Sequence, residues 1–160
     1  MNYRTLDVDA RKYFQLTRAS LLATRFRGFW SGGEDPQFFA FGGQGDFRGV
    51  AFNKLTGTRG FYGNAELRFP LVDLLATPIV HITGIRGTAF FDLAGAWYGG
   101  QTFKLFADRD GWGLGDSRAS MGLGTEVFLG GLPLHFDWAW PTDLRSVDDA
   151  KFEVWIGFDY

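Results

Sequence analysis

Apolar and polar residues alternate along most of this chain with a period of two, which is the pattern of a β-strand with two different faces. The alternation is clearest in three C-terminal segments: 118–129, 132–140 and 152–160. In the middle segment, Leu134, Phe136 and Trp138 share one face, whereas His135 and Asp137 share the other. The end of the chain is therefore predicted to form three strands in succession.

Four earlier segments alternate in the same way and raise the prediction to about seven strands. They are residues 8–16, 20–30, 62–73 and 85–97. Between the strands, short turns alternate with long loops. Gly130-Gly131 predicts a tight hairpin turn, whereas residues 31–60 and 99–116 are long and Gly-rich. The apolar segment 74–84, which contains Pro78, predicts a turn that dips into an interface, with a short strand extension as the alternative.

One face of the predicted sheet is apolar, with Trp and Tyr towards the strand ends, and the other carries Arg, Glu, Asp and His. A soluble barrel packs its apolar face inside. An outer-membrane barrel turns that face to lipid and lines its lumen with the polar one. Strands of up to about 11–13 residues, alternating short turns and long loops, and flanking aromatics favour the membrane barrel. We therefore predict an all-β fold, an antiparallel transmembrane β-barrel.

The amino-acid composition excludes several other classes of protein. The chain has 160 residues, 18% aromatic residues, 23 glycines and no cysteine, with a net charge of −2. No apolar run reaches about 18 residues, so we expect no transmembrane helix. The net charge does not indicate binding to nucleic acid, and the absence of cysteine excludes disulfides and Cys-zinc sites. Residues 1–12 lack the apolar stretch of a signal peptide, so we expect a fragment of a longer exported protein.

The candidate chemistry lies in residues 46–50, inside the first long loop. Arg48 has no local partner, Gly49 follows it, and Phe47 precedes it. A solvated loop has no need for this combination. A loop that folds back into a polar cavity would use the arginine as an anchor and the glycine for close approach.

Four stretches, in order, resemble the C-terminal part of the bacterial surface antigen family, the outer-membrane barrels of the BamA and TamA type. They are Gly42-Gly43 with Phe47-Arg48-Gly49-Val50, then 63–71 (GNAELRFPL), 90–97 (FFDLAGAW), and 118–124 (RASMGLG) continuing through 132–141 (LPLHFDWAWP) to the terminal aromatic. The family has (Val/Leu)-Arg-Gly-(Phe/Tyr) in its long loop. Val50 replaces that last aromatic residue, so we expect less aromatic packing beside Arg48.

The resemblance implies that the chain is the C-terminal part of one barrel domain, roughly the last six or seven strands of about sixteen. It implies that the loop at about 31–60 folds into the lumen, and that its arginine meets an acidic residue of the inner wall. By alternation, Asp92 and Phe90 lie on that wall, and Glu66 is a second candidate partner.

The last predicted strand carries alternate apolar residues and ends on an aromatic: Phe152, Val154, Ile156, Phe158 and Tyr160. Such a stripe is needed wherever a strand faces lipid. The resemblance adds a second role, a C-terminal signal that assembly machinery recognises by strand pairing. Both roles can hold together.

We expect neither enzymatic chemistry nor a metal or other cofactor. There is no G-x-S-x-G motif to accompany the two histidines; His135 is expected to be a polar lumen residue and His81 a structural one. Asp108, Asp110 and Asp116 lie in a Gly-rich loop, but their spacing does not match a calcium loop.

The function implied by the resemblance is insertion, assembly or translocation of polypeptides at the bacterial outer membrane. The expected partners are outer-membrane lipid and client polypeptides or assembly machinery, with no nucleic acid. One alternative is a membrane-anchoring barrel whose activity lies in a further N-terminal domain. Another is a soluble β-barrel carrier, with the apolar face inside.

Overall fold

The computed structural model describes residues 2–43, 46–76, 81–107, 113–129 and 131–157, with the backbone alone for 73–76 and 81–83. Nine β-strands lie in this part of the chain. They are β1 (Tyr3–Gln15), β2 (Leu21–Gly33), β3 (Phe39–Phe41), β4 (Leu55–Gly57), β5 (Arg59–Ala76), β6 (His81–Trp97), β7 (Arg118–Leu129), β8 (Leu132–Thr142) and β9 (Lys151–Ile156).

Seven of these strands form one antiparallel sheet in the order β1-β2-β5-β6-β7-β8-β9. Each strand pairs with its neighbour along the chain, except that the β3–β4 hairpin is inserted between β2 and β5 as a separate two-stranded sheet. Among the described residues the sheet is open, with β1 at one edge and β9 at the other. The prediction of an all-β, antiparallel fold is confirmed.

The two faces of the sheet differ in the way that the sequence alternation predicts. One face, here called the outer face, exposes large apolar side chains on every strand of the sheet, among them Leu6, Val8, Phe26, Trp30, Phe91, Met121, Leu123, Trp138, Phe152, Val154 and Ile156. The opposite or inner face buries polar ones: Asn64, Glu66, Thr88, Asp92, Ser120, Glu126, His135 and Asp137. A sheet that is apolar outside and polar inside reverses the usual order of a water-soluble domain.

Several strand boundaries differ from the predictions. β1 begins at Tyr3, five residues earlier than expected. The described residues of the segment 74–84 belong to strands, as the alternative of a strand extension predicted: β5 continues to Ala76 past a bulge between Pro70 and Val72, and β6 begins at His81. Pro78 lies outside the described residues. The loop predicted at 31–60 is partly ordered, because β2 extends to Gly33 and the β3–β4 hairpin occupies its middle.

Small residues on the inner face of β7 make room for larger ones on its neighbours. A side chain at Gly122 would overlap the ring of Phe90 and the carbonyl of Trp138, and one at Gly124 would overlap Asp137. Gly122 therefore leaves room for the Phe90 ring on the inner face, where Arg48 of the loop meets it. No helix in the described part of the chain is long and apolar enough to cross a bilayer.

Candidate functional site

The loop between β3 and β4 packs on the inner face through a small apolar cluster. Phe47 is fully buried and contacts Tyr62 and Ala94, with the ring centroids of Phe47 and Tyr62 6.4 Å apart in an edge-to-face arrangement. Val50 and Leu55 pack against this cluster. Val50 therefore contributes aliphatic rather than aromatic packing, and the aromatic part comes from Phe47 and Tyr62.

Arg48 is buried against β6, where it meets Asp92. Its Nε donates to Asp92 Oδ2 at 3.1 Å and its Nη2 to Oδ1 at 3.3 Å, so the guanidinium and carboxylate pair through two bonds. The backbone N–H of Arg48 also donates to Asp92 Oδ2, at 3.2 Å. Paired, charge-assisted bonds of this kind fix orientation as well as position.

The same guanidinium reaches β5. Its Nη1 donates to Glu66 Oε2 at 2.7 Å, and the other oxygen of Glu66 accepts from Arg68 Nε, also at 2.7 Å. The side chains of Arg48, Glu66 and Asp92 are 6%, 4% and 0% exposed. Two arginines and two carboxylates thus form one buried network with balanced charge, which is the condition under which buried ions are tolerated.

Phe90 completes the arginine's surroundings. The guanidinium carbon of Arg48 lies 3.4 Å from the centroid of the Phe90 ring. A desolvated cation over an aromatic face adds attraction that does not compete with the carboxylates in the guanidinium plane. The structure therefore brings together the four residues Arg48, Glu66, Phe90 and Asp92 that the sequence singled out as loop anchor and wall.

Two wall residues in this site were not singled out from the sequence. The Tyr62 hydroxyl donates to the carbonyl of Asp46 and lies 3.5 Å from Asp92 Oδ1. Asn64 Nδ2 donates to the same Oδ1. Both residues share the inner face of β5 with Glu66, so the alternation of residues along the strand could have identified them.

Burial by itself would lower the pKa of Arg48, but attraction to Asp92 and Glu66 outweighs it and holds that pKa well above its ordinary value.

At Gly49 the loop passes from β5 and β6 towards the edge of the sheet that β9 forms. Its φ of +78° is one that residues with side chains seldom adopt. A Cβ there would lie 3.0 Å from Ala139 Cβ and 3.3 Å from Pro141 Cγ on β8. The Gly49 N–H donates to Glu153 Oε1 at 3.0 Å, and its carbonyl accepts from Lys151 Nζ at 2.7 Å. The close approach expected of this glycine is therefore made against β8 and β9.

A second polar group lies on the inner face of β8 and β9. The rings of His135 and Trp155 stack with centroids 3.6 Å apart, and His135 Nε2 lies 2.9 Å from the carbonyl oxygen of Gly157. Trp155 Nε1 donates to Asp137 Oδ2 at 2.8 Å. His135 thus lies on the polar face that its alternation with Asp137 predicted.

The remaining predicted residues fall outside this site. Phe152, Val154 and Ile156 are exposed on the outer face of β9, whereas Phe158 and Tyr160 lie outside the described residues. Asp108 and Asp110 and the side chain of His81 are likewise outside the described part. Asp116 accepts from the backbone N–H of Lys104. Within the described ranges, no group of three His, Asp or Glu side chains is placed to hold a metal ion.

The fold and site define an antiparallel sheet with an apolar outside and a polar inside, on which an inserted loop is anchored by an arginine. The domain of the Omp85 superfamily matches residues 1–160, the whole of the sequence. The chain therefore belongs to the Omp85 superfamily, a family of proteins of the outer membrane or related membranes that broadly insert or translocate proteins. No curated protein matches it.

Proposed function

We propose that this chain is the C-terminal part of a transmembrane barrel of about sixteen strands that inserts, assembles or translocates polypeptides at the bacterial outer membrane. The proposal follows the BamA and TamA type within the superfamily, on the sequence stretches that resemble it. The outer face would contact lipid and the inner face would line the lumen. The short turns would lie on the periplasmic side and the long loops outside the cell.

The observation that carries the proposal is the burial of Arg48 between Glu66 and Asp92 on the polar face. A barrel that served only as a lipid-embedded anchor would not need a loop held by a charged network inside it. Here the loop tip crosses the inner face from β5 to β9, so it shapes the interior on both sides.

The exposed apolar face supports a membrane location. Leu123 on β7 and Ile156 on β9 are 55% and 66% exposed, and neighbouring strands present similar side chains. A continuous apolar surface of this extent is a liability in water and a requirement in lipid. The same arrangement speaks against the soluble carrier, whose apolar face would be inside.

The mechanism proposed is physical and involves no covalent step. β9 lies at the edge of the sheet, and its outward backbone groups can pair with another strand. A client strand that adds to such an edge gains main-chain hydrogen bonds before it leaves the periplasmic side. The loop network would keep the interior in shape while the edge exchanges partners.

The proposal is tested with the full-length protein in phospholipid vesicles. A urea-unfolded outer-membrane barrel is added as the client, and its folding is followed by its shift in gel mobility. The wild type should speed client folding several-fold over empty vesicles, and Arg48→Met should lose most of that gain. Arg18→Met is the matched control, because Arg18 is exposed in the β1–β2 turn.

Client folding at the rate of empty vesicles, with the wild-type protein correctly inserted, would contradict the assembly function. It would favour the alternative in which the barrel anchors an activity located elsewhere in the full protein. Loss of folding with Arg18→Met as well as Arg48→Met would show that the effect is not specific to the loop.

A further inference from the structure

The loop tip is held by β9 through both polar groups of a single residue, Gly49. Lys151 and Glu153 lie two residues apart on β9, so both side chains point to the inner face. One donates to the carbonyl of Gly49 at 2.7 Å, and the other accepts from its N–H at 3.0 Å. The Lys151 ammonium and the Glu153 carboxylate thus bind the carbonyl and the N–H of the same residue.

Contacts with β8 also restrict the position of Gly49. Its backbone lies so close to Ala139 and Pro141 of β8 that a methyl group would be crowded. The loop can keep both hydrogen bonds only while β9 stays in its present register on β8, where Lys151 pairs with Ala139. A shift of β9 along or away from β8 must break the contacts to Gly49.

β9 is six residues long and, among the described residues, pairs only with β8. Trp155 reinforces that pairing by stacking on His135 and donating to Asp137. Glu153 Oε2 is buried without a hydrogen-bond partner, so the Gly49 N–H is the described bond that satisfies this carboxylate. Losing that bond would leave a half-buried carboxylate unsatisfied, which links the energy of the strand to the position of the loop.

The residue before Gly49, Arg48, anchors the loop to the middle of the sheet. Arg48 is bound to β5 and β6, and Gly49 to β8 and β9. Two consecutive residues therefore join the middle of the sheet to its edge, and a movement of either end is passed to the other.

We infer that Lys151 and Glu153 form a clamp on Gly49 that couples the conformation of the loop to the pairing of the edge strand β9. When the clamp is closed, the loop holds β9 on β8. When β9 is displaced by another strand, the loop tip is released from the edge while Arg48 remains on β5 and β6. The consequence for clients rests on the proposed function, whereas the coupling is a property of the protein alone.

The test measures hydrogen–deuterium exchange of the full-length protein in phospholipid vesicles, with no client present. In the double variant Lys151→Met/Glu153→Ala, the amides of residues 46–57 should exchange about tenfold faster, because two charge-assisted bonds are lost. The conservative variant Lys151→Arg/Glu153→Gln keeps a donor and an acceptor and should stay close to wild type.

Asp7→Ala is the matched control. It removes an inner-face ion pair, the one with Arg27, on a strand far from β9. It should leave exchange at 46–57 unchanged. Gly49→Ala gives the reciprocal measurement from the loop side, and should speed exchange of the β9 amides about tenfold without affecting β1.

Unchanged exchange at 46–57 in the double variant would overturn the clamp, as would a conservative variant that behaves like the double one. Should the double variant fail to insert, Gly49→Ala decides alone: unaltered exchange in β9 would refute the coupling. Because no client is used, a failed clamp leaves the proposed function standing, and a failed client assay leaves the clamp standing.

Discussion

Replacing Arg48 by Met tests the network on the inner face. Met retains an unbranched apolar stem of similar length but has no charge and no donor. The substitution would leave Glu66 and Asp92 buried at 4% and 0% exposure without their shared cation. It would also remove the cation that lies 3.4 Å above the Phe90 ring.

The expected cost is set by the carboxylates left behind. Removing one partner of a buried ion pair costs about 3–5 kcal/mol. Two anions lose a partner here, but Arg68 still binds Glu66, and Asn64 still binds Asp92, so the cost should stay within that range. Asp92→Asn removes one charge while keeping an oxygen acceptor, and should cost about 1–3 kcal/mol.

The measurement is the free energy of unfolding of the full-length protein in vesicles, from a urea titration followed by gel mobility. Arg48→Met, Asp92→Asn and the double variant form a cycle. The double variant should be more stable than the sum of the single effects by about 1–3 kcal/mol, because the two residues interact directly. Arg18→Met should lie within about 0.5 kcal/mol of wild type.

Additive single effects would refute the direct pairing of Arg48 with Asp92. So would an Arg48→Met variant as stable as Arg18→Met. A double variant that reverses the charges at positions 48 and 92 would be a weaker test than the cycle of Arg48→Met and Asp92→Asn. An acidic residue at position 48 would face Glu66, which lies 2.7 Å from the present guanidinium.

Two further substitutions test the fit of the sheet and the character of its outer face. Gly122→Ala should destabilise the protein by about 2–4 kcal/mol in the same urea titration, because the added methyl overlaps Phe90 and the Trp138 carbonyl. Gly63→Ala, where the nearest atom is 3.8 Å away, should be nearly neutral, and equal effects would contradict the packing account. Leu123→Arg on the outer face of β7 should cost about 2–4 kcal/mol in a bilayer, since it places a charge among lipid tails. Leu144→Arg, in the loop after β8, is the control and should cost less than about 1 kcal/mol; the same loss at both sites would contradict a lipid-facing strand.

The strands of the sheet follow from the alternation of residue types, because a half-buried strand must place apolar and polar side chains on opposite faces. Asp137 and Trp138 illustrate this, since neighbours in sequence lie on opposite faces of β8. The wall residues Asp92, Phe90 and Glu66 were predictable for the same reason. Alternation fixes the face of each residue, and the family resemblance implies that the loop arginine meets an acidic residue on that face.

Strand ends and the β3–β4 hairpin could not be predicted in the same way. Residues 39–41 and 55–57 are too short to show a period, and their pairing depends on how the loop folds back. β5 continues through the apolar residues 74–76, where a bulge after Pro70 lets the strand continue past the proline.

Contacts between the loop and β9 also lay beyond the sequence. Lys151 and Glu153 are about a hundred residues away from Gly49, and nothing in their neighbourhood marks them as partners of a backbone group. Only the three-dimensional path of the loop across the inner face brings them together. Val50 is a similar case, because its partners Phe47 and Tyr62 supply the aromatic packing that its own side chain lacks.

The central claim is that the apolar face contacts lipid while the polar face, with its anchored loop, faces the interior of a barrel. Residues 1–160 contain no cysteine, and serine replaces any cysteine elsewhere in the full-length protein, so that a single fluorophore can be placed at Leu123→Cys on the outer face or at Arg11→Cys on the inner face of β1. In vesicles of brominated phospholipid, the full-length protein should show strong quenching at position 123 and little at position 11. Iodide in the water should show the opposite order. Equal lipid quenching at both positions, or stronger quenching at position 11, would contradict the account.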